Sequence, residues 1–308
     1  MIKTVIDIGS NSIKMRSAKI SSNGRLYILR DETEVVRLGR GMSENGMLKP
    51  ENMRRTCEAA SRMVKAATYP GKDYKIFIVG TQALRIAKNS GDFVKMLKDL
   101  TGLDVHIFTG EEEAKFSWLG AVDGFNLSGN IIMFDTGGGS TEFVSGSGHS
   151  VNKVKSIPVG AVTLSEKFFN ENNNLPVKMS ACDSALEFVK NLFIANNIES
   201  FKTHDSKIIG VGGGVVAMES VKFACENFLP SRLHGKILTQ RDIMTQIKMY
   251  SALNLNERQN IIGLPASRAD VILGSACIIL AALRLLEADS CIVSINGLRH
   301  GLLLRDNI

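Results

Sequence analysis

No uncharged apolar run in the chain is long enough to cross a bilayer. The longest, residues 271–283, has 13 residues against the roughly 20 that a spanning helix needs, so no membrane span is expected and the run predicts a buried core helix. The five cysteines (Cys57, Cys182, Cys225, Cys277, Cys291) are odd in number, far apart and free of any Cys-x-x-Cys spacing. That excludes a disulfide frame and a zinc site, and predicts free thiols in a reducing compartment. The five histidines are scattered too, so no metal-ligand spacing arises from them. There is no dense Lys/Arg run with interleaved aromatics, so nucleic acid is not an expected partner, and no Walker lysine motif occurs. The sequence starts Met1-Ile2-Lys3 and runs straight into a strand pattern without a leader-like apolar stretch; with the free thiols this predicts a cytoplasmic protein.

What is present is a globular composition, 44% apolar and 22% charged over 308 residues, enough for two domains. A formal net charge of +6 implies mild attraction to anions, although surface charge for solubility explains it equally well.

One pattern is written twice. Asp7-Ile8-Gly9-Ser10-Asn11-Ser12 follows a short β-rich run and precedes another, and so does Asp135-Thr136-Gly137-Gly138-Gly139-Ser140-Thr141. An acid ending a strand, a small-residue turn with hydroxyls and a second strand describe a hairpin whose tip offers N–H and O–H donors. Glycine lets an anion approach such a tip closely. The candidate phosphate-binding residues are therefore Asp7, Gly9, Ser10, Asn11 and Ser12 in the first copy, and Gly137, Gly138, Gly139, Ser140 and Thr141 in the second. Asp135, with Glu142 just past the second tip, is a candidate ligand pair for Mg²⁺, which favours oxygen donors. Turn-stabilising contacts would account for the acids just as simply.

The order of elements repeats with the motif. Residues 1–40 read as a meander of four strands (4–7, 13–20, 26–33, 34–38) with a turn at Asn23-Gly24. A helix at 50–67, a strand at 75–80, helices at 82–89 and 91–101, a strand at 104–108 and a helix at 111–122 follow. After a break at 124–130 the pattern restarts with strands, helices and a strand at 207–210, while 170–174 is a polar loop. A period near 128 residues, from Asp7 to Asp135, indicates duplicated domains, not a solenoid. The expected domains are 1–124, with a C-terminal helix near 297–308 as a candidate to pack back on it, and 125–308.

Three further motifs carry chemistry. In Thr109-Gly110-Glu111-Glu112-Glu113-Ala114, Thr109 and Glu112 form a capping box. Acids in a first helical turn are favoured by the macrodipole, yet one of the three could also serve as a general base. The run Gly210-Val211-Gly212-Gly213-Gly214 joins a strand to a helix and places Gly212 and Gly213 at a helix N-terminus suited to anions; Val215 stands where the dinucleotide fingerprint needs its third glycine. In Thr81-Gln82-Ala83-Leu84-Arg85 the arginine sits where it could clamp a phosphate, although taken alone a surface arginine is the simpler reading. Arg268 and Asp270 read as a capping salt bridge for the core helix.

These motifs, with Pro158-Val159-Gly160-Ala161-Val162, Arg268-Ala269-Asp270 and Gly297-Leu298-Arg299 in the same order, resemble the exopolyphosphatase/guanosine pentaphosphate phosphohydrolase (Ppx/GppA) family in its short form, nearly end to end. The resemblance implies an α/β fold of two ribonuclease-H-like domains of the actin/Hsp70/sugar-kinase type with a cleft between them. It implies Mg²⁺-dependent release of terminal phosphate from inorganic polyphosphate or guanosine pentaphosphate, with Glu113 as base, Arg85 gripping phosphate, and Asp135 and Glu142 associated with the metal. A homodimer is a candidate assembly on the same ground. The chain departs from the family pattern at Gly214 and Val216, where hydroxyl residues are usual, at Thr163, often arginine, and at His300, commonly glutamate. Two other readings remain open at this stage: an ATP-dependent kinase or ATPase of the same fold, and a non-catalytic alarmone sensor.

Overall fold

Alternating β-branched residues make Ile2–Ile8 (β1) a strand, and the small-residue tip turns it back into Ser12–Ile20 (β2). Leu26–Val35 (β3) continues as one strand. The two strands expected over 26–38 are thus a single strand, because β3 pairs with β2 from Leu26 to Val35, with Leu29 set out at the bulge opposite Ser17/Ala18. Then follow Pro50–Ala66 (α1), Tyr74–Gly80 (β4), Gln82–Ile86 (α2), Ser90–Thr101 (α3), Val105–Ile107 (β5) and Gly110–Val122 (α4). This is a computed structural model, which describes residues 1–21, 25–42, 45–169, 175–203, 205–226 and 229–305. The turn expected at Asn23-Gly24 and the polar loop expected at 170–174 lie outside the described residues.

The second set of elements is Ile131–Thr136 (β6), Thr141–Ser147 (β7), Ser150–Ile157 (β8), Ala161–Phe168 (α5), Met179–Ala195 (α6), Lys207–Val211 (β9), Gly213–Lys222 (α7), Ile237–Thr239 (β10), Gln240–Ser251 (α8), Leu255–Gln259 (α9), Ile272–Leu285 (α10), Ser290–Ser294 (β11) and Leu298–Leu303 (α11). The chain divides into two compact units, Met1–Gly120 with Leu298–Ile308, and Ala121–Gly297.

Each unit is built on its own sheet. In the first the order is β3-β2-β1-β4-β5, with β3, β2 and β1 antiparallel and β1, β4 and β5 parallel. In the second it is β8-β7-β6-β9-β11, the same order and directions, with β10 added antiparallel at the β11 edge. The duplicated motif therefore marks a duplicated topology, a two-domain α/β fold of the ribonuclease-H-like (actin/Hsp70) type.

The core of the second unit forms where Phe134 and Phe143 from the sheet meet α6, α7 and α10. Helix α10 is buried on nearly every side, which is why its sequence shows no polar stripe. Among the described residues no helix is long and apolar enough to cross a membrane. The Phe143 ring meets Phe193 edge-on at 5.0 Å and Phe201 at 6.3 Å. Phe143→Ala is expected to lower unfolding free energy by about 3–5 kcal/mol, measured as a shifted denaturant midpoint. All five cysteines are free thiols, four buried and Cys225 half-buried.

In the first unit, α11 covers the sheet through Leu298, Leu302 and Leu303 against Val5, Ala18 and Val79. Asp31 on β3 pairs with both Arg16 on β2 and Arg299 on α11, and the Lys3 ammonium donates to the Arg305 carbonyl at 2.6 Å. Helix α11 approaches α4 so closely that a Cβ on Gly301 would strike the Phe116 carbonyl. His300 meets the Arg16 guanidinium through Nδ1 at 3.2 Å.

Candidate active site

The two hairpin tips share one local geometry. In the first, the Gly9 N–H donates to the Ser12 carbonyl at 3.1 Å; in the second, the Gly137 N–H donates to the Ser140 carbonyl at 2.9 Å. In both, a Cβ on the glycine would lie 3.2–3.3 Å from that carbonyl oxygen, so a larger residue would have to push the turn open by a few tenths of an ångström. Both are tight turns because an antiparallel pair on either side fixes their ends: Ile8 pairs with Ile13, and Thr136 with Thr141.

Each tip has its carbonyls tied down from behind. In the first unit, the Val36 and Arg37 amides donate to the Asn11 carbonyl, and the Gly39 amide to the Ser10 carbonyl at 2.8 Å. The Ser10 hydroxyl donates to Gln82 Oε1 at 3.3 Å. In the second, the Ala161 amide donates to the Gly137 carbonyl, and the Val162 and Thr163 amides to the Gly138 carbonyl. The first turn of α5 is thus capped by the loop. Gly160, its N-cap, sits on the loop backbone, since a Cβ there would lie 2.6 Å from the Gly138 oxygen. Thr163 closes the same turn by accepting the Gly160 N–H at 2.9 Å.

The acids differ in their surroundings. Asp7 is buried, and its Oδ1 has no hydrogen-bond partner among the described residues. Burial pushes its carboxyl above the ordinary aspartate range, while Lys14 and Arg299 pull it down. Asp135 on β6 and Glu142 on β7 are register partners, and Glu142 is in turn opposite Ser156 on β8. Three polar side chains therefore share one face of the sheet, and the Ser156 hydroxyl donates to Glu142 Oε1 at 2.7 Å. Among the described residues no cluster of three or more His, Cys, Asp or Glu side chains forms a ready metal cage. Two carboxylates on one face, one of them 2% exposed, fit Mg²⁺, a hard ion that commonly takes one or two protein carboxylates and completes its shell with water and substrate phosphate.

The three glutamates of α4 separate cleanly. Glu112 reaches back to the Thr109 N–H and hydroxyl, both at 2.9 Å, while its own N–H donates to Thr109 Oγ1. Thr109 therefore holds its carboxyl below the usual range. Glu111 is exposed. Glu113 is turned toward Arg85, whose Nη1 lies 3.2 Å from Oε2 and also donates to the Phe108 carbonyl at 2.6 Å. The structure brings Arg85 and Glu113 together, a contact between α2 and α4 that no local spacing announces.

The glycine loop after β9 is explained by packing. Gly212 has φ +112°, and Gly214 lies against the Ser275 side chain. Gly213 lies under the Arg268 guanidinium. The expectation that Arg268 and Asp270 cap the core helix is corrected here: the N-cap of α10 is Val271, with no side-chain cap bond. The arginine instead occupies the space above Gly213, a relation between residues 55 apart that spacing could not reveal.

Comparison with known proteins agrees with this architecture. The chain is 30% identical to the bifunctional 3-dehydroquinate synthase/phosphatase of Fusobacterium nucleatum, over 98% of this chain and 46% of that protein. It is 28% identical to the guanosine-5'-triphosphate,3'-diphosphate pyrophosphatase of Vibrio atlanticus, over 96% of this chain and 57% of that one. It thus spans about half the length of the curated relatives it matches. The crystal structure of the Aquifex aeolicus Ppx/GppA family member superposes with a TM-score of 0.80 at 30% identity, covering 99% of this chain and 96% of that one. The sequence profile of the Ppx/GppA phosphatase family matches residues 18–307, and the chain belongs to that family.

Proposed function

We propose that the chain is a phosphohydrolase that releases terminal orthophosphate from inorganic polyphosphate. The observation that carries this reading is the pair of matching hairpin tips, in which the Ser10, Asn11, Gly137 and Gly138 carbonyls are occupied by amides of neighbouring segments and so do not oppose an anion at the tip. Backbone donors at a glycine-rich turn suit any chain of phosphates, since they recognise the anion and not a base.

In this reading Ser10, Asn11 and Ser12 hold phosphate oxygens at one tip, and residues 137–141 do so at the other. Asp7 stands one residue before the end of the strand that leads into the first tip, as a further group on the phosphate side. Glu113 accepts the proton of the attacking water, and Arg85 holds the carboxylate in place through its own bond to the Phe108 carbonyl while offering its remaining donors to the phosphoryl group. Asp135 and Glu142 would hold Mg²⁺, whose charge would offset that of the phosphates when bound. Gly212 and Gly213 line the start of α7, where an anion would be met by backbone N–H groups.

A second substrate, guanosine pentaphosphate, is favoured by the 28% identity to the Vibrio atlanticus protein named for that class. The deciding experiment is orthophosphate release from long-chain polyphosphate and from guanosine pentaphosphate, each with and without Mg²⁺. Faster Mg²⁺-dependent release from the polymer is expected. Release from the nucleotide alone would replace the substrate, and release from neither would remove the hydrolase reading.

A further inference from the structure

Helix α7 carries a glutamate that neither the fold nor the proposed reaction uses. Glu219 is fully buried at 0% exposure, and neither of its carboxylate oxygens has a hydrogen-bond partner among the described residues. The nearest cation is Lys222, one turn along the same helix, with its ammonium 3.8 Å from Oε1, too far for a hydrogen bond. The ammonium is held elsewhere: it donates to the Ile237 carbonyl of β10 at 2.6 Å and pairs with Asp242 of α8 at 2.9 Å. Lysine 222 therefore ties β10 and α8 to α7 while standing within a small movement of an unsatisfied acid.

We propose that Glu219, Lys222 and Asp242 form a proton-driven switch in the second unit: when Glu219 loses its proton it draws the Lys222 ammonium off the Ile237 carbonyl and Asp242, loosening β10 and α8 against α7. The two arrangements compete for one ammonium. With Glu219 protonated, the buried group is a neutral acid and Lys222 is free to serve β10 and α8. With Glu219 ionised, a buried carboxylate without donors is costly, and the lysine is the group placed to relieve it.

The groups facing Glu219 agree with a transition near neutrality. Burial pushes its carboxyl up to about 7, Lys222 and Lys236 pull against that, and Asp242 pushes the same way as burial. On β11 the Cys291 thiol, itself raised to about 12 by burial and by Glu219, stays neutral across the range. On α8, Gln246 and Tyr250 are bonded to each other at 2.6 Å, and Gln246 donates to the Met218 carbonyl, so both are already engaged. Because the folded-state value lies above the ordinary 4.5, the stability contributed by the protonated form is fully present below that ordinary value. It is lost as pH rises through about 7.

The test is thermal unfolding of the full chain across this range for wild type, Glu219→Gln and Lys222→Met. Wild type is expected to lose about 5 °C or more of melting temperature relative to Glu219→Gln between roughly pH 5.5 and 8.5. Lys222→Met should move the midpoint of that loss upward, because the cation that favours ionisation is gone. In wild type, the hydrogen-exchange protection of the β10 amides should fall over the same interval. Parallel pH curves for wild type and Glu219→Gln, or unchanged β10 protection, would overturn the switch. If Glu219→Gln does not fold, the direction of the Lys222→Met midpoint and the wild-type exchange decide the matter.

Discussion

Glu113→Gln is expected to lower orthophosphate release by about 100- to 10,000-fold, the range for removing a general base. Glutamine keeps the size of the side chain and can still accept the Arg85 hydrogen bond seen at 3.2 Å, so the geometry is preserved while the basic oxygen is lost. In the proposed reaction the phosphate contacts at the two hairpin tips do not pass through this residue. Stabilisation of the protein by polyphosphate, read as a thermal shift, should therefore persist in the variant. Near-normal turnover would remove Glu113 from the role of base. Loss of the thermal shift along with turnover would instead make it part of binding. Arg85→Ala should be strongly non-additive with Glu113→Gln, because the two side chains act as one unit.

Gly160→Ala should be nearly as damaging, although its residue touches no candidate catalytic group. Its φ of −140° is open to any residue, so the obstacle is space. A Cβ would lie 2.6 Å from the Gly138 oxygen and still nearer to the Gly139 nitrogen, and backbone cannot rotate away as a side chain can. Relief requires the loop at 137–139 and the start of α5 to part, breaking the bonds from Ala161 and Val162 to the loop carbonyls. A displacement of about 1 Å at a positioning loop can lower turnover by about 100-fold, and overpacking of this kind costs about 1–3 kcal/mol or more. Gly91→Ala, where nothing lies within 4 Å of the new Cβ, is the matched control and should leave both rate and melting temperature near wild type. Full activity in Gly160→Ala would show that the second tip does not need its present form.

What could be read from the sequence was what is written locally. Both hairpin tips are contiguous strings in which acid, glycine and hydroxyl positions are fixed by the turn itself, and the repeated string announced the repeated sheet order. The Thr109–Glu112 capping box was equally legible because its partners are three residues apart. Contacts between distant segments were not. Nothing in residues 82–86 says that Arg85 will meet an acid of α4, and nothing near Arg268 says that its guanidinium will cover Gly213. The single long β3 reads as two strands because Arg30, Asp31, Glu32 and Glu34 interrupt its apolar pattern, charges that are compatible with one strand once pairing with β2 is known. Glu219 gave no signal at all: a glutamate within a helix looks exposed unless the packing of β10, β11 and α8 around it is seen.

The place of α11 has a consequence for how the protein is made. Its leucines complete the apolar cover of Val5, Ala18 and Val79, yet they are synthesised only after the whole of Ala121–Gly297. At about 5–20 residues per second, the first unit waits roughly ten to thirty-five seconds on the ribosome with that face of its sheet covered only in part, by Phe108 and Phe116, while the second unit can fold as soon as it emerges. A nascent chain of this protein should thus offer its first unit to chaperones for longer than its second, and loss of α11 would harm the sheet of the first unit more than that of the second.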